Sequence, residues 1–410
     1  MATNSAEQAI KNPGVLRRSR PFRYLWAARS ISHIGDGFAA AALVLHVEST
    51  VGSGSAVAMI LAAQTLPRLL GPVTGALADR FDRRPIMITC ELGQMAIYAL
   101  VALTTPSLLP LAGYVVVAAL LATTFAPASR SAIPLLVRSE DLMGANAWAG
   151  IALNLRVVVG PAVGAILFET IGFGGALAVN AASFLLSGAL LFALPTLKPA
   201  VEAADPKSVY AETREALAFV RRHSVAGPIV MALFLGVAFA AVDDVALVFL
   251  VRDELDGSAL AFGVAASAYG IGMIVGSIGL LRPRPGRSAT FFFLMGWLLS
   301  ALGTLGTGVS PVLAAVFLMQ ALAGAGNALN NTAGDTLLQQ NVPAAMLGRV
   351  FGLSVSAAVS GSIVAYAAGG FLLELTSPRA VFIVGGTGVI AVFVFLQLVL
   401  FASRDRPSRG

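Results

Sequence analysis

GPVTGALADRFDRR, residues Gly71–Arg84, is the stretch whose reading decides the fold. Its fourteen residues pass from a small-residue apolar helix into a tight cluster of acid and base, the pattern of a short turn between two membrane-spanning helices. A bilayer core of roughly 30 Å takes about 20 helical residues to cross. Outward from this turn, apolar runs of that length recur near 23–47, 55–78, 85–105, 109–132, 144–168 and 174–195, then 226–251, 259–281, 288–309, 311–332, 349–374 and 379–402. The chain therefore reads as an all-α membrane protein of twelve transmembrane helices in two pseudo-symmetric six-helix halves.

The expected organisation is a cytoplasmic tail over 1–22, a first half over 23–195, a linker over 196–225, a second half over 226–402 and a tail over 403–410. Composition agrees: 57% of residues are hydrophobic and 12% charged, where soluble domains carry about 25% charged residues. The first 20 residues are polar and lack the apolar core and cleavage site of a signal peptide. If both ends are cytoplasmic, the tails and inner loops hold 21 of the 27 Lys and Arg residues, and the outer loops only Arg252 and Arg379. That asymmetry sets the orientation and accounts for the net charge of +6 without nucleic acid. The single Cys90 and the scattered His33, His46 and His223 offer no disulfide and no metal site. No nucleotide-binding glycine loop occurs, so no cofactor is expected and energy must come from a gradient.

In the linker, Val209, Ala216, Leu217 and Val220 fall near helical spacing, while Glu212, Arg214, Arg221 and Arg222 face elsewhere. A short amphipathic helix on the inner membrane surface is expected, serving as a tether. The halves also look like copies. FAPASRSAIPLLVRSEDLMGANAWAG before and into the fifth span resembles NNTAGDTLLQQNVPAAMLGRVFGL before and into the eleventh, with Arg130 and Asp335 each seven residues ahead of Val137 and Val342. GALADRFDRR has a worn counterpart in GLLRPRPGR, Gly279–Arg287. Parallel six-helix halves are a transporter architecture with substrate held near mid-membrane.

These residues resemble the major facilitator superfamily over about 20–402, and most closely its twelve-helix macrolide and siderophore efflux branch. The family's G-x-L-A-D-R-x-G-R-R/K turn is matched by Gly75, Leu77, Ala78, Asp79, Arg80, Arg83 and Arg84, with Asp82 in place of the second glycine. FRYLWAARSISHIGD, ANAWAG and VPAAMLGRVFGL are similar to that branch as well, and VVVGPAVGAI resembles the antiporter motif G-P-x-x-G through Gly160, Pro161 and Gly164. The basic residue that many proton-coupled relatives share in mid-span 4 is not evident, because Arg130 lies at the inner end of that span. The resemblance implies a secondary transporter working by alternating access. It also implies that Asp79 meets the cytoplasmic start of span 11 and that Arg83 joins the same charge network, a latch on the inner gate. Pro283 stands where Asp79 would be in the second half, so the latch is expected on one side only.

An ionised residue at mid-membrane costs about 2.5–3.5 kcal/mol on insertion scales, so each one is a functional candidate. Arg29, His33 and Asp36 recur at steps of four and three, on one face of span 1. Asp36 suits coupling or substrate contact through the competition between burial and neighbouring positive charge, or a structural hydrogen bond; His33 suits a coupling role or simple packing. In span 7, Asp243 and Asp244 point about 100° apart, so that one faces a cavity and the other a neighbour, or else both lie in a wet outer vestibule where the span ends early. Span 2 carries Gln64 and Arg68 and span 5 carries Asn154 and Arg156; each arginine needs a carboxylate, with Asp36 the best partner for one of them. Gln320, Asn327, Asn331 and Asp335 form a polar stripe on span 10, lining a water path or bonding between helices. Gly71 with Gly75, Gly160 with Gly164, and Gly272 with Gly276 read as close-packing pairs. Phe38, Tyr269 and Trp148 suit either a hydrophobic substrate or the core.

The expectation is a proton-coupled exporter of hydrophobic or amphipathic compounds, of the drug, macrolide or siderophore kind, acting as a monomer in a bacterial inner membrane with both termini cytoplasmic. Its partners are the bilayer, a small-molecule substrate and protons. An importer or uniporter on the same fold is the alternative. A membrane-embedded lipid enzyme lacks any catalytic cluster in these short loops, and a sensor would need a long soluble tail.

Overall fold

The computed structural model describes residues 14–198, 208–280 and 288–402. The tails 1–13 and 403–410, the linker segment 199–207 and the segment 281–287, with Pro283, lie outside the described residues. Every described element is helical. That is the physical requirement for spanning hydrocarbon, where each backbone N–H and C=O must be satisfied within its own segment.

After a five-residue helix at Gly14–Arg18, the helices are α1 (Arg20–Val51), α2 (Gly54–Thr65), α3 (Gly71–Arg80), α4 (Arg83–Thr104), α5 (Leu108–Leu136), α6 (Leu142–Val158) and α7 (Gly160–Phe192). After the linker helix α8 (Ser208–Arg222) come α9 (Ala226–Ala240), α10 (Asp243–Phe249), α11 (Ala259–Leu280), α12 (Ala289–Val309), α13 (Leu313–Asn341), α14 (Ala344–Leu375) and α15 (Pro378–Ala402). Among the described residues ten helical stretches are long and apolar enough to cross a membrane. Two further passages are composite. The second runs from α2 through the tight turn Leu66–Leu70 into α3, where Pro67 and Pro72 remove backbone donors and narrow the helix. The fifth is α6 continued by the start of α7, which reverses at Gly172 with φ 73° and ψ 178°, a conformation open to glycine.

The chain divides into two compact units: Met1–Gly52, Ala63–Ala204 and Gly257–Ser267 in the first, and Ser53–Ala62, Asp205–Asp256 and Ala268–Gly410 in the second. The first is built on α1 against α7 and α4 against α7, around Phe22, Leu25, Met87, Ala128 and Leu191. The second packs α12 on α13 and α15, and α9 on α14, around Ile229, Phe293, Trp297 and Val389.

Lipid is as apolar as a leucine side chain, so helices associate where small residues let backbones meet. Gly160 and Gly164 do this: a Cβ on either would strike the α1 backbone at Gly37 and Phe38. Gly272 and Gly276 do the same against Ala321 and Ala325 of α13. The expectation fails for Gly71 and Gly75, where an added Cβ would meet nothing within 4 Å. In α8, Ala216 and Val220 are buried as expected, but Leu217 is 46% exposed. The helix is fastened to α14 by Arg349, which donates to Glu215 at 3.0 Å.

Candidate functional site

The polar face of α1 lies in the first unit, and its geometry follows from the glycines beside it. Gly37, next to Asp36, has no room for a Cβ because the backbone of Arg156 and Gly160 occupies that space. The α1 backbone beside Asp36 therefore packs on the α6–α7 junction at Arg156, and Gly160 and Gly164 of the antiporter-like motif allow it. Pro161 accompanies them at the start of α7. Arg156, then Arg68, are the cations bearing on Asp36. Sequence left the choice of arginine open, and the charges of both bear on the one carboxylate.

Arg29 is 6% exposed, and its Nε and Nη1 are buried without a hydrogen-bond partner. The neighbouring charge on it is Arg130. One turn along, both ring nitrogens of His33 are buried and unpartnered, with Arg29, Arg156 and Arg130 as its neighbouring charges. Four guanidiniums thus serve one region of the first unit.

Glu91 is a functional candidate that the sequence reading passed over. It lies on α4 with no exposed surface, beside Gly188 of α7 and near the hydroxyls of Ser187 and Ser32, with Asp36 as a neighbouring charge. Its signal was present: a carboxylate two turns into an apolar span belongs to the same costly class as Asp36. Phe38 is core, 5% exposed, and Trp148 is held by Trp26, whose Nε1 donates to its carbonyl at 2.9 Å.

In the second unit the helix breaks at Ala241–Val242 and restarts at Asp243, so span 7 does not end early. The fresh N-terminus places Asp243 and Asp244 where a carboxylate is favoured by exposed N–H groups. Gln320 of α13, 1% exposed, donates its amide to both Asp243 oxygens at 2.9 and 3.0 Å. Tyr366 of α14 donates to Asp244 at 3.0 Å. The two carboxylates thus face different neighbours. Asn331 donates to Asn327 at 2.8 Å within α13, so the stripe divides into a segment bound to Asp243 and an amide pair.

At the turn between α3 and α4, Asp82 caps α4 by accepting from the Arg84 backbone N–H at 3.0 Å and from the Leu197 N–H at the same distance. Arg83 donates to Ser131 Oγ at 2.8 Å and to the Leu197 carbonyl at 3.2 Å. Arg84 reaches the Phe192 carbonyl at 2.6 Å. Arg83, expected in a charge network with Asp79, thus binds α5 and the segment after α7, Arg84 binds the end of α7, and Arg80 ends α3 exposed. The Asp79 side chain lies outside the described residues. His223 accepts two backbone N–H bonds at the start of α9 and is a cap. Among the described residues no group of His, Cys, Asp and Glu could hold a metal ion.

A family model described as "Transmembrane secretion effector" matches residues 16–405. The chain is 28% identical over 409 residues to the enterobactin exporter EntS of Shigella boydii, covering 96% of this chain and 95% of that protein. It is 27% identical over 392 residues to the MFS-type transporter YfiS of Bacillus subtilis, covering 92% and 93%. Among solved structures, a POT family transporter in complex with 5-aminolevulinic acid aligns with a TM-score of 0.77 at 12% identity, over 95% of this chain and 97% of that one. The nucleoside transporter NupG aligns with a TM-score of 0.75 at 13% identity, over 93% and 100%. At such identities these two speak for the fold alone.

Proposed function

The chain belongs to the transmembrane secretion effector family of major facilitator transporters, and from that premise we propose that it exports anionic, amphipathic small molecules of the siderophore class in exchange for protons. The observation that carries this reading is Arg29, buried with two guanidinium nitrogens unpartnered and a second cation, Arg130, as its neighbouring charge. A buried charge without a partner costs several kcal/mol. An anionic cargo oxygen supplies the missing partner, and a guanidinium fork suits a carboxylate or a pair of neighbouring oxygens. Arg156 and Arg68 are the cations that bear on Asp36, and in this reading Arg29 and Arg130 serve the cargo. The relative EntS, an enterobactin exporter by name, supports the siderophore class.

The exchanged proton belongs at Asp243 and Asp244, successive carboxylates hydrogen-bonded to an amide and a phenol. An anion leaving and a proton entering both move with an inside-negative potential, worth about 2.3 kcal/mol per charge per 100 mV. The protein would work as a monomer in a bacterial inner membrane, both termini cytoplasmic, as the Lys and Arg asymmetry supports. In a host lacking its own enterobactin exporter, the wild-type chain is expected to restore enterobactin to the medium, and Arg29→Leu, present at equal level in the membrane, is expected not to. Restoration by both proteins, or by neither, would refute the reading.

A further inference from the structure

Arg20, the first residue of α1, is exposed yet held in place. Its Nε donates to Tyr24 Oη at 2.8 Å, and its guanidinium carbon lies 5.5 Å from the centroid of the same ring, within cation–π range. The phenol thus commits Nε and leaves the two Nη groups, a fork that matches paired oxygens of a phosphate. Arg23, three residues on and so on the same face of the helix, is exposed as well.

The junction that carries these arginines is tied down. Ser19 Oγ accepts from the Phe22 N–H at 3.2 Å and donates to the Leu136 carbonyl at 2.7 Å, which caps α1 and fastens its start to the end of α5. In the short helix before it Val15 is buried, and Arg18 donates to Asp141 at 3.3 Å. Arg18 is therefore spent on the protein, while Arg17 stays exposed. Around the junction the five arginines Arg17, Arg18, Arg20, Arg23 and Arg138 stand against the two carboxylates Glu140 and Asp141, a net charge of +3.

The height of this patch in the bilayer follows from length. α1 has 32 residues, about 48 Å at 1.5 Å each, against roughly 30 Å of hydrocarbon. Its first turns reach the headgroup level, where Tyr and Trp also settle. Tyr24 is there, and Trp26 packs edge-on against Trp148 at 5.2 Å. Orientation in the membrane requires charge alone. It does not require a guanidinium held by a phenol, nor an arginine that ties the junction to its neighbour.

We propose that Arg17, Arg20 and Arg23 form a headgroup site for an anionic phospholipid in the leaflet at the start of α1, the cytoplasmic leaflet in the orientation argued above. The phosphodiester takes the Arg20 fork, Arg23 and Arg17 add the further positive charge, and the acyl chains follow the apolar surface of the span. The net charge of +3 selects anionic over zwitterionic lipid, since both carry the phosphate and only the first brings net negative charge. Arg221 and Arg222 of α8 are exposed too, but among the described residues they make no cation–π contact. They supply the comparison.

Native mass spectrometry of the full chain, released from detergent with phosphatidylglycerol or phosphatidylcholine of identical acyl chains, tests the site. The wild type should hold its first phosphatidylglycerol at least about ten-fold more tightly than phosphatidylcholine, the scale of hydrogen bonds to a charged group. Arg20→Gln combined with Arg23→Gln should bring the two lipids within about two-fold of each other. Tyr24→Phe keeps every charge and removes only the oxygen that holds Arg20, so it should weaken phosphatidylglycerol about three-fold, the scale of one neutral hydrogen bond. Arg221→Gln combined with Arg222→Gln removes the same charge from α8 and should leave the preference intact. Equal retention of the two lipids by the wild type, equal loss from the two double variants, or Tyr24→Phe indistinguishable from the wild type would each overturn the proposal. Displacement of the lipid by an equal concentration of inorganic phosphate would overturn it as well, in favour of a free-anion site. Neither cargo nor orientation enters the measurement, so a failure of the enterobactin reading leaves this result standing.

Discussion

Arg29 is the residue on which the functional account turns, because it separates stability from activity in opposite directions. Removing a buried, unpartnered guanidinium relieves a desolvation cost, so Arg29→Leu should leave the thermal unfolding midpoint unchanged or raise it. The same change should reduce siderophore efflux by about 10-fold or more, the scale of losing a hydrogen bond to a charged group. A lowered midpoint with parallel loss of efflux would make the residue structural. Asp82 makes the contrary case. It satisfies the N–H groups of Arg84 and Leu197, so Asp82→Ala should cost about 1–2 kcal/mol of stability, as loss of an N-cap does, while Asp82→Asn recovers most of it in thermal unfolding. The family resemblance marked this position as a departure, and its capping role became visible only when Leu197, more than a hundred residues away, was placed beside it.

At the scale of elements, the account rests on where helices touch. Gly37 and Gly164 meet backbone across the contact between α1 and α7. Gly37→Ala should force the helices apart, lower the midpoint and displace Arg156 from Asp36. Gly75, with open space where its Cβ would be, should accept alanine with a gain of about 0.5–1 kcal/mol, the usual helix preference. Equal loss from Gly37→Ala and Gly75→Ala in thermal unfolding would contradict the packing argument. Spacing alone could not separate these glycines, since pairs four residues apart look alike until a partner helix is assigned. The break at Ala241–Val242 was likewise hidden, because the run from Ala226 to Glu254 is apolar on both sides of it. What was legible were the crossings themselves: lipid demands some 20 apolar residues for each, and that demand is written in composition.

For the whole molecule, the repeat is the organising fact, and it was partly readable. FAPASRSAIPLL and NNTAGDTLLQQN disclosed two copies. Function was legible only to the class of machine. The arginines were visible one by one in the sequence, whereas their convergence and the burial of Arg29 belong to the fold. Tilted cargo gradients in proteoliposomes put the central claim to the test most directly. Vesicles holding the purified full chain and loaded with enterobactin are given an acidic exterior and an inside-negative potential, and the catechol released and the protons taken up are followed together. The account predicts efflux accompanied by proton uptake in the wild type, efflux that no longer follows the pH gradient in Asp243→Asn, and neither flux in Arg29→Leu. Wild-type efflux that proceeds without proton uptake, or that Arg29→Leu leaves intact, would contradict it.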